Sequence, residues 1–178
     1  MMIFNLKDFR SGWQFFDEDI ADLREGLTKL SYKWEWSRYV ASVAQGVDYV
    51  YTGTSHFDDT WKDPHWLNPI YNVINHANEI PYGFTNEWNH CLVNYYKPWQ
   101  TLGSHQDDEK CLEGSILSIS IGGNAEFNYS PNKNAFGTCV TLSDLDCILA
   151  KGSWWKENWH SVKNGGDSRI NLTFRRII

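Results

Sequence analysis

Arg169-Ile170-Asn171-Leu172-Thr173-Phe174-Arg175 alternates polar and apolar side chains without a break. In an extended chain successive side chains point to opposite faces, so Arg169, Asn171, Thr173 and Arg175 share one side and Ile170, Leu172 and Phe174 the other. The apolar side reads as core. That places the arginine side against the lining of a cavity, where two guanidiniums call for an anion. Each can grip a carboxylate with two parallel hydrogen bonds, which suggests a small carboxylate ligand. The competing account is an edge strand whose arginines sit in water.

Upstream lie His105-Gln106-Asp107 and, later, a lone His160. On a strand, His105 and Asp107 at i and i+2 would offer an imidazole nitrogen and a carboxylate oxygen to one ion, with His160 closing the triangle. Two histidines and one carboxylate on one face of an octahedron leave three positions open, enough for a bidentate 2-oxo acid and dioxygen. An HxD pair alone is more often a surface pair than a metal site.

Asn94-Tyr95-Tyr96, His105-Gln106-Asp107-Asp108-Glu109, Ser115 to Gly122, His160 and the RxNxTFR strand follow in one order. This order and spacing resemble the AlkB family of iron(II)/2-oxoglutarate dioxygenases over roughly residues 90 to 178. Upstream, only Tyr49-Val50-Tyr51-Thr52-Gly53 looks like that family's nucleotide-contacting hairpin. The resemblance implies a double-stranded β-helix (jelly-roll) core, iron(II) held by His105, Asp107 and His160, and 2-oxoglutarate contacted by Asn94, Tyr96, Arg169, Asn171 and Arg175. It further implies a substrate contact at Glu109 and a substrate lid upstream of the core. Leu145-Asp146 stands where the family commonly has Gly-Asp, which predicts a different turn there.

Arg169 and Arg175 are separated by about 20 Å along a straight strand, longer than 2-oxoglutarate, so one arginine is expected at the far carboxylate and the other beside the metal. Asn94 and Tyr96 share a strand face and offer neutral donors to the same acid. Tyr49 and Tyr51 also share a face and could stack on a base, with buried packing as the alternative. Gln106 points away from its neighbours, toward the pocket rim. His56, His65, His76 and His90 show no ligand spacing.

The chain is one domain's worth of residues, with 42% hydrophobic content, enough for a core. The expected division is a helix and lid over about 1 to 88 and a jelly-roll catalytic core over about 89 to 178, mostly β with flanking helices, within a single domain. Helices are predicted after Asp17, with Ile20, Leu23, Leu27 and Leu30 inward, and from Asn68-Pro69 to before Pro81. Strands are predicted over 90 to 97, 115 to 122, 125 to 129, 138 to 142, 146 to 150, 159 to 163 and 168 to 176, with Asn164 to Asp167 as a hairpin turn between the last two. Ten tryptophans beside eighteen other aromatics are mostly packing, though an aromatic-lined mouth also suits a flat base. The net charge of −6 runs against a dedicated nucleic-acid binder, so a strand substrate would be held through few phosphates.

Cys91, Cys111, Cys139 and Cys147 lack CxxC spacing, and the first residues carry Lys7, Asp8 and Arg10 without a long apolar run. This predicts neither signal peptide nor membrane span, and reduced thiols in a cytoplasmic monomer without a protein partner. With iron(II), 2-oxoglutarate and O2, the resemblance implies oxidative demethylation of alkylated bases in single-stranded DNA or RNA. The alternative is the same chemistry on a protein side chain or small molecule, favoured by the acidic charge; a third class is a barrel that binds without turnover.

Overall fold

The computed structural model describes residues 1–8, 17–35, 37–44, 49–51, 54–56, 88–133, 135 and 137–178. In chain order the elements are β1 (Met2–Asn5), α1 (Asp17–Thr28), β2 (Lys33–Glu35), β3 (Arg38–Ala44), β4 (Tyr49–Tyr51), β5 (Thr54–His56), β6 (His90–Tyr96) and β7 (Thr101–His105). They continue with β8 (Leu112–Gly122), β9 (Ala125–Ser130), β10 (Thr138–Leu142), β11 (Asp146–Lys151), α2 (Gly152–Glu157), β12 (Trp159–Asn164) and β13 (Arg169–Ile177). The expected helix from Asn68 lies outside the described residues.

Two sheets form the body. The larger runs β1-β11-β8-β13-β6-β3-β2 and the smaller β10-β9-β12-β7, with β4 and β5 a separate hairpin. From β6 onward consecutive strands alternate between the sheets, except that β9 and β10 form a hairpin within the smaller one; this is the arrangement of a double-stranded β-helix, as the family resemblance implies. Three strands from before residue 45 widen the larger sheet, so the first part of the chain builds core as well as covering it.

Alternation along the strands sorts the side chains into two layers. On the outer face of the larger sheet, Val43, Cys91, Val93, Ile119, Leu172 and Phe174 pack with Ile20, Leu23 and Leu27 of α1. The three α1 residues follow the predicted rhythm, and Leu30 packs against the same cluster just beyond the helix. Between the sheets, Leu92, Ile116, Phe127, Leu142, Ile148 and Val162 form a second apolar layer. Beside it the inner face of the larger sheet turns polar, with Asn94, Asn171, Thr173, Arg169 and Arg175 all buried. Polar groups so placed need partners or a ligand.

The Asn164–Asp167 segment is not a hairpin. β12 pairs with β7 and β9, whereas β13 pairs with β6 and β8, so this turn carries the chain from one sheet to the other. Asn164 Nδ2 braces it by donating to the carbonyls of Lys97 and Asp167. At 145 the backbone takes the left-handed conformation that glycine favours, although the residue is leucine (φ 67°). Leu145 N–H donates to the Ser120 carbonyl at 2.7 Å and its carbonyl accepts from Leu6 N–H at 2.9 Å, while its side chain is buried in the α1 layer. Packing and two backbone bonds hold the turn without glycine.

All four cysteines are free thiols. Among the described residues no helix is long and apolar enough to cross a membrane.

Candidate metal and co-substrate site

β7 and β12 lie side by side with His105 directly opposite His160, and their rings are 4.2 Å apart between centroids. His105 Nδ1 is 2.8 Å from the Gly103 carbonyl and His160 Nδ1 is 3.2 Å from the Asn158 carbonyl. A carbonyl oxygen only accepts, so each Nδ1 carries the proton and each Nε2 presents a lone pair. In both cases the carbonyl two residues upstream fixes the tautomer, the outer-shell support that metal-binding imidazoles use.

Asp107 departs from the predicted strand placement. β7 ends at His105, and Asp107 sits in the loop beyond it, its N–H donating to the Trp155 carbonyl of α2 at 3.3 Å. The loop still brings its carboxylate to the imidazoles, with Oδ1 3.9 Å from His105 Nε2. One donor atom from each of His105, Asp107 and His160 lies within 4.8 Å of the others.

Burial alone would raise the Asp107 pKa. The charge of Arg175, with His160, His105 and Arg38 behind it, outweighs that and holds the carboxyl below its usual value. Arg175 Nη2 is 3.4 Å from Asp107 Oδ2, both side chains being buried. His160 is pushed down to about 4, first by burial, with His105 and Arg175 adding to the effect against Asp107. At neutral pH the set is therefore an ionised carboxylate and a neutral imidazole with its lone pair free. Two nitrogen donors and one oxygen donor suit iron(II), and three such ligands make up a face rather than a cage.

The three groups border a cavity of about 570 Å³, within the usual range for small-molecule sites. Asn94, Tyr96, Asn171 and Arg175 line it, as do Gln106 and Glu109. Gln106 Nε2 donates to the Lys156 carbonyl at 2.7 Å, tying the loop to α2. Phe127 and Trp155 form an aromatic wall, their rings 5.8 and 5.0 Å from that of His160. Trp154 packs edge-on against Trp155 at 5.0 Å. Tyr49 and Tyr51 fall on β4 of the small hairpin, paired with His56 and Thr54; their rings lie outside the described residues.

Arg169 stands behind this lining and is 1% exposed. Its Nε donates to Ser120 Oγ at 2.7 Å and its Nη2 to Asn171 Oδ1 at 2.9 Å, with Tyr96 below the guanidinium at 5.6 Å. Nη1 is buried and has no hydrogen-bond partner among the described residues. A buried cation with an unused donor pair is a poor stabiliser on its own and a good receptor for a carboxylate oxygen. Burial keeps the Tyr96 hydroxyl protonated by raising its pKa, so it too remains a donor.

Sequence reasoning missed Arg38. It is buried on β3, lines the cavity and donates from Nε to Asn94 Oδ1 at 2.5 Å. The signal was available in Arg38-Tyr39-Val40-Ala41-Ser42-Val43, which puts arginine and serine on one face with the same period as β13.

Residues 22–175 match the family described as the 2OG-Fe(II) oxygenase superfamily. The chain belongs to this superfamily. It is 33% identical over 95 residues to the alpha-ketoglutarate-dependent dioxygenase AlkB of Salmonella typhimurium, covering 48% of the chain and 44% of AlkB. It is 30% identical over 132 residues to the RNA replication protein of Papaya mosaic potexvirus, covering 73% of the chain but 8% of that protein. Its fold superposes on the structure of OsALKBH1 with a TM-score of 0.65 at 18% identity, covering 91% of this chain and 92% of that one. The AlkB-family resemblance of the sequence thus extends to its relatives and to its jelly-roll fold. Membership carries iron(II) as the cofactor and 2-oxoglutarate and O2 as the co-substrates of the class, and His105, Asp107 and His160 are the residues that fit the ion.

Proposed function

We propose that residues 1–178 work as one catalytic unit that removes methyl groups oxidatively from bases of single-stranded nucleic acid, RNA in particular. The observation that carries this reading is the meeting of His105, Asp107 and His160 beside a cavity backed by a buried arginine with an open donor. RNA is favoured because the potexvirus relative is an RNA replication protein. The acidic chain, at −6, fits a substrate gripped by its base rather than by many phosphates.

Iron(II) bound by the triad would supply the oxidation by which an N-methyl base, 2-oxoglutarate and O2 become the free N–H base, formaldehyde, succinate and carbon dioxide. The residues divide the remaining work. Arg169, Asn171 and Tyr96 take the far carboxylate of 2-oxoglutarate, and Asn94 donates along its length. Arg175 holds Asp107 ionised and faces the metal-side carboxylate. This assigns the two arginines to opposite ends of the acid, as their separation along β13 requires. Phe127 and Trp155 keep water from the reacting centre, and Gln106, Glu109, Tyr49 and Tyr51 meet the substrate base and its strand. The unit acts as a monomer in a reducing compartment such as the cytoplasm, where its free thiols persist.

Succinate formation tests this with methylated RNA, methylated DNA, unmethylated strands and no nucleic acid. Stimulation by methylated strand with stoichiometric formaldehyde supports the proposal. Turnover indifferent to nucleic acid points instead to a protein or small-molecule target, and no turnover at all points to a barrel that only binds.

A further inference from the structure

Among the described residues, Arg38 is the buried cation of the cavity that neither the triad nor the β13 motif uses. It lies on the inner face of β3, where Val40 is opposite Asn94 and Tyr39 opposite Tyr95, so its side chain reaches Asn94 diagonally. Its position costs desolvation of a guanidinium, and among the described residues its hydrogen bond goes to Asn94 Oδ1. That bond has a directional consequence. An asparagine amide has one oxygen that accepts and one NH2 that donates, and the two ends exchange by a flip of the side chain. A guanidinium only donates, so contact with Arg38 obliges the Asn94 oxygen to face β3. The NH2 is then turned the other way, on a side chain that lines the cavity.

Resting on the reading of this cavity as the 2-oxoglutarate site, we propose that Arg38 is a positioning residue that locks the Asn94 amide with its NH2 toward the acid. With the amide flipped, the carbonyl oxygen would face a carboxylate and repel it. Arg38 therefore contributes through the orientation of a neutral donor rather than as a third clamp on the acid.

A pair of substitutions separates these roles. Glutamine places its Nε2 at the chain position of the arginine Nε, so R38Q keeps a donor for Asn94 Oδ1, whereas R38M has none. Both remove the charge and the terminal amino groups equally. Glutamine also brings an acceptor oxygen, so the difference between them is assigned to the Asn94 contact by repeating the comparison without that amide. Binding of 2-oxoglutarate is followed by quenching of tryptophan fluorescence with manganese(II) in place of iron and without oxygen. R38M should bind about tenfold or more weakly than R38Q, the size of one hydrogen bond to a charged group. In an N94A background the two should become equal. The kcat at saturating 2-oxoglutarate should be little changed in R38M while the KM rises. N94D keeps the Arg38 contact but replaces the NH2 by oxygen, and should lose at least as much affinity as R38M, which keeps the idea testable should R38M fail to fold.

Equal affinities of R38Q and R38M, or a difference that survives N94A, would overturn the proposal. So would normal 2-oxoglutarate affinity in R38M with a raised KM for the nucleic acid, which would make Arg38 a substrate contact. Failure of the unaltered protein to bind 2-oxoglutarate is a separate result that removes the co-substrate reading itself.

Discussion

Replacing Arg169 by methionine should leave the ligand-free protein nearly as stable while stripping it of 2-oxoglutarate binding. The substitution loses the bonds to Ser120 Oγ and Asn171 Oδ1, each worth about 1.5–3 kcal/mol for a charged donor. Against this, it removes a guanidinium buried to 1% exposure whose Nη1 has no partner among the described residues, a burden of several kcal/mol. The two nearly offset, so the unfolding free energy of the empty protein should move by no more than about 2 kcal/mol. With the acid present the balance changes. A two-point grip on a carboxylate lost from a buried site costs about 3–5 kcal/mol, or roughly a hundredfold to several thousandfold in Kd. At a concentration of about 100 times the unaltered protein's Kd, 2-oxoglutarate should raise stability by about 2.7 kcal/mol, and in R169M by about 0.4 kcal/mol or less. Urea unfolding with manganese(II), with and without the acid, measures both quantities. An R169M variant that keeps the full ligand-induced gain would show that the far carboxylate lies elsewhere.

Arg175→Ala leaves Asp107 buried without the cation at 3.4 Å; it should destabilise the fold by about 3–5 kcal/mol and raise the 2-oxoglutarate requirement, and an unchanged requirement in steady-state assays would remove Arg175 from the co-substrate site. His160, at about 4 against an ordinary 6.5, stays neutral in the folded protein where the unfolded chain takes up a proton. Between those values the unfolded state binds more protons, so this contribution to metal-free stability is complete above about pH 6.5 and falls away toward pH 4, by about 3 kcal/mol. H160N should flatten that part of the pH dependence in denaturant titrations, and parallel curves for the two proteins would contradict the assignment. Burial raises the thiol pKa of Cys91 and Cys147, whereas Cys139 is exposed. Iodoacetamide at pH 8 should label Cys139 readily and the two buried thiols only after unfolding, with peptide mass spectrometry as the readout; labelling of all at one rate would show that the barrel opens.

The β13 strand was legible because period-two alternation survives burial on both sides: Leu172 and Phe174 meet α1 while Asn171 and Thr173 meet the cavity. The triad was legible because HxD followed by a lone histidine constrains donor type and order. Its geometry was not, since β7 stops at His105 and Asp107 is aimed by a backbone bond to Trp155, a contact between distant segments with no local signature. The turn at Asn164–Asp167 misled for a related reason. Gly165-Gly166 reports a sharp reversal but not which sheet receives the next strand, and here β13 crosses to the other one. Arg38 was hidden by its neighbourhood, because an arginine in an aromatic-rich stretch reads as surface until β3 is seen beside β6. The short α2 has no side-chain cap at Lys151 and left no start signal to read.

A dioxygenase centre at this site requires His105, Asp107 and His160 to bind one ferrous ion to which 2-oxoglutarate then adds. Anaerobic addition of iron(II) and the acid should produce visible charge-transfer absorption that saturates at one iron per chain and is abolished in H105A, D107A and H160A. Absence of that absorption in the unaltered protein, or its persistence at full strength in any of the three variants, would contradict the assignment of the metal centre.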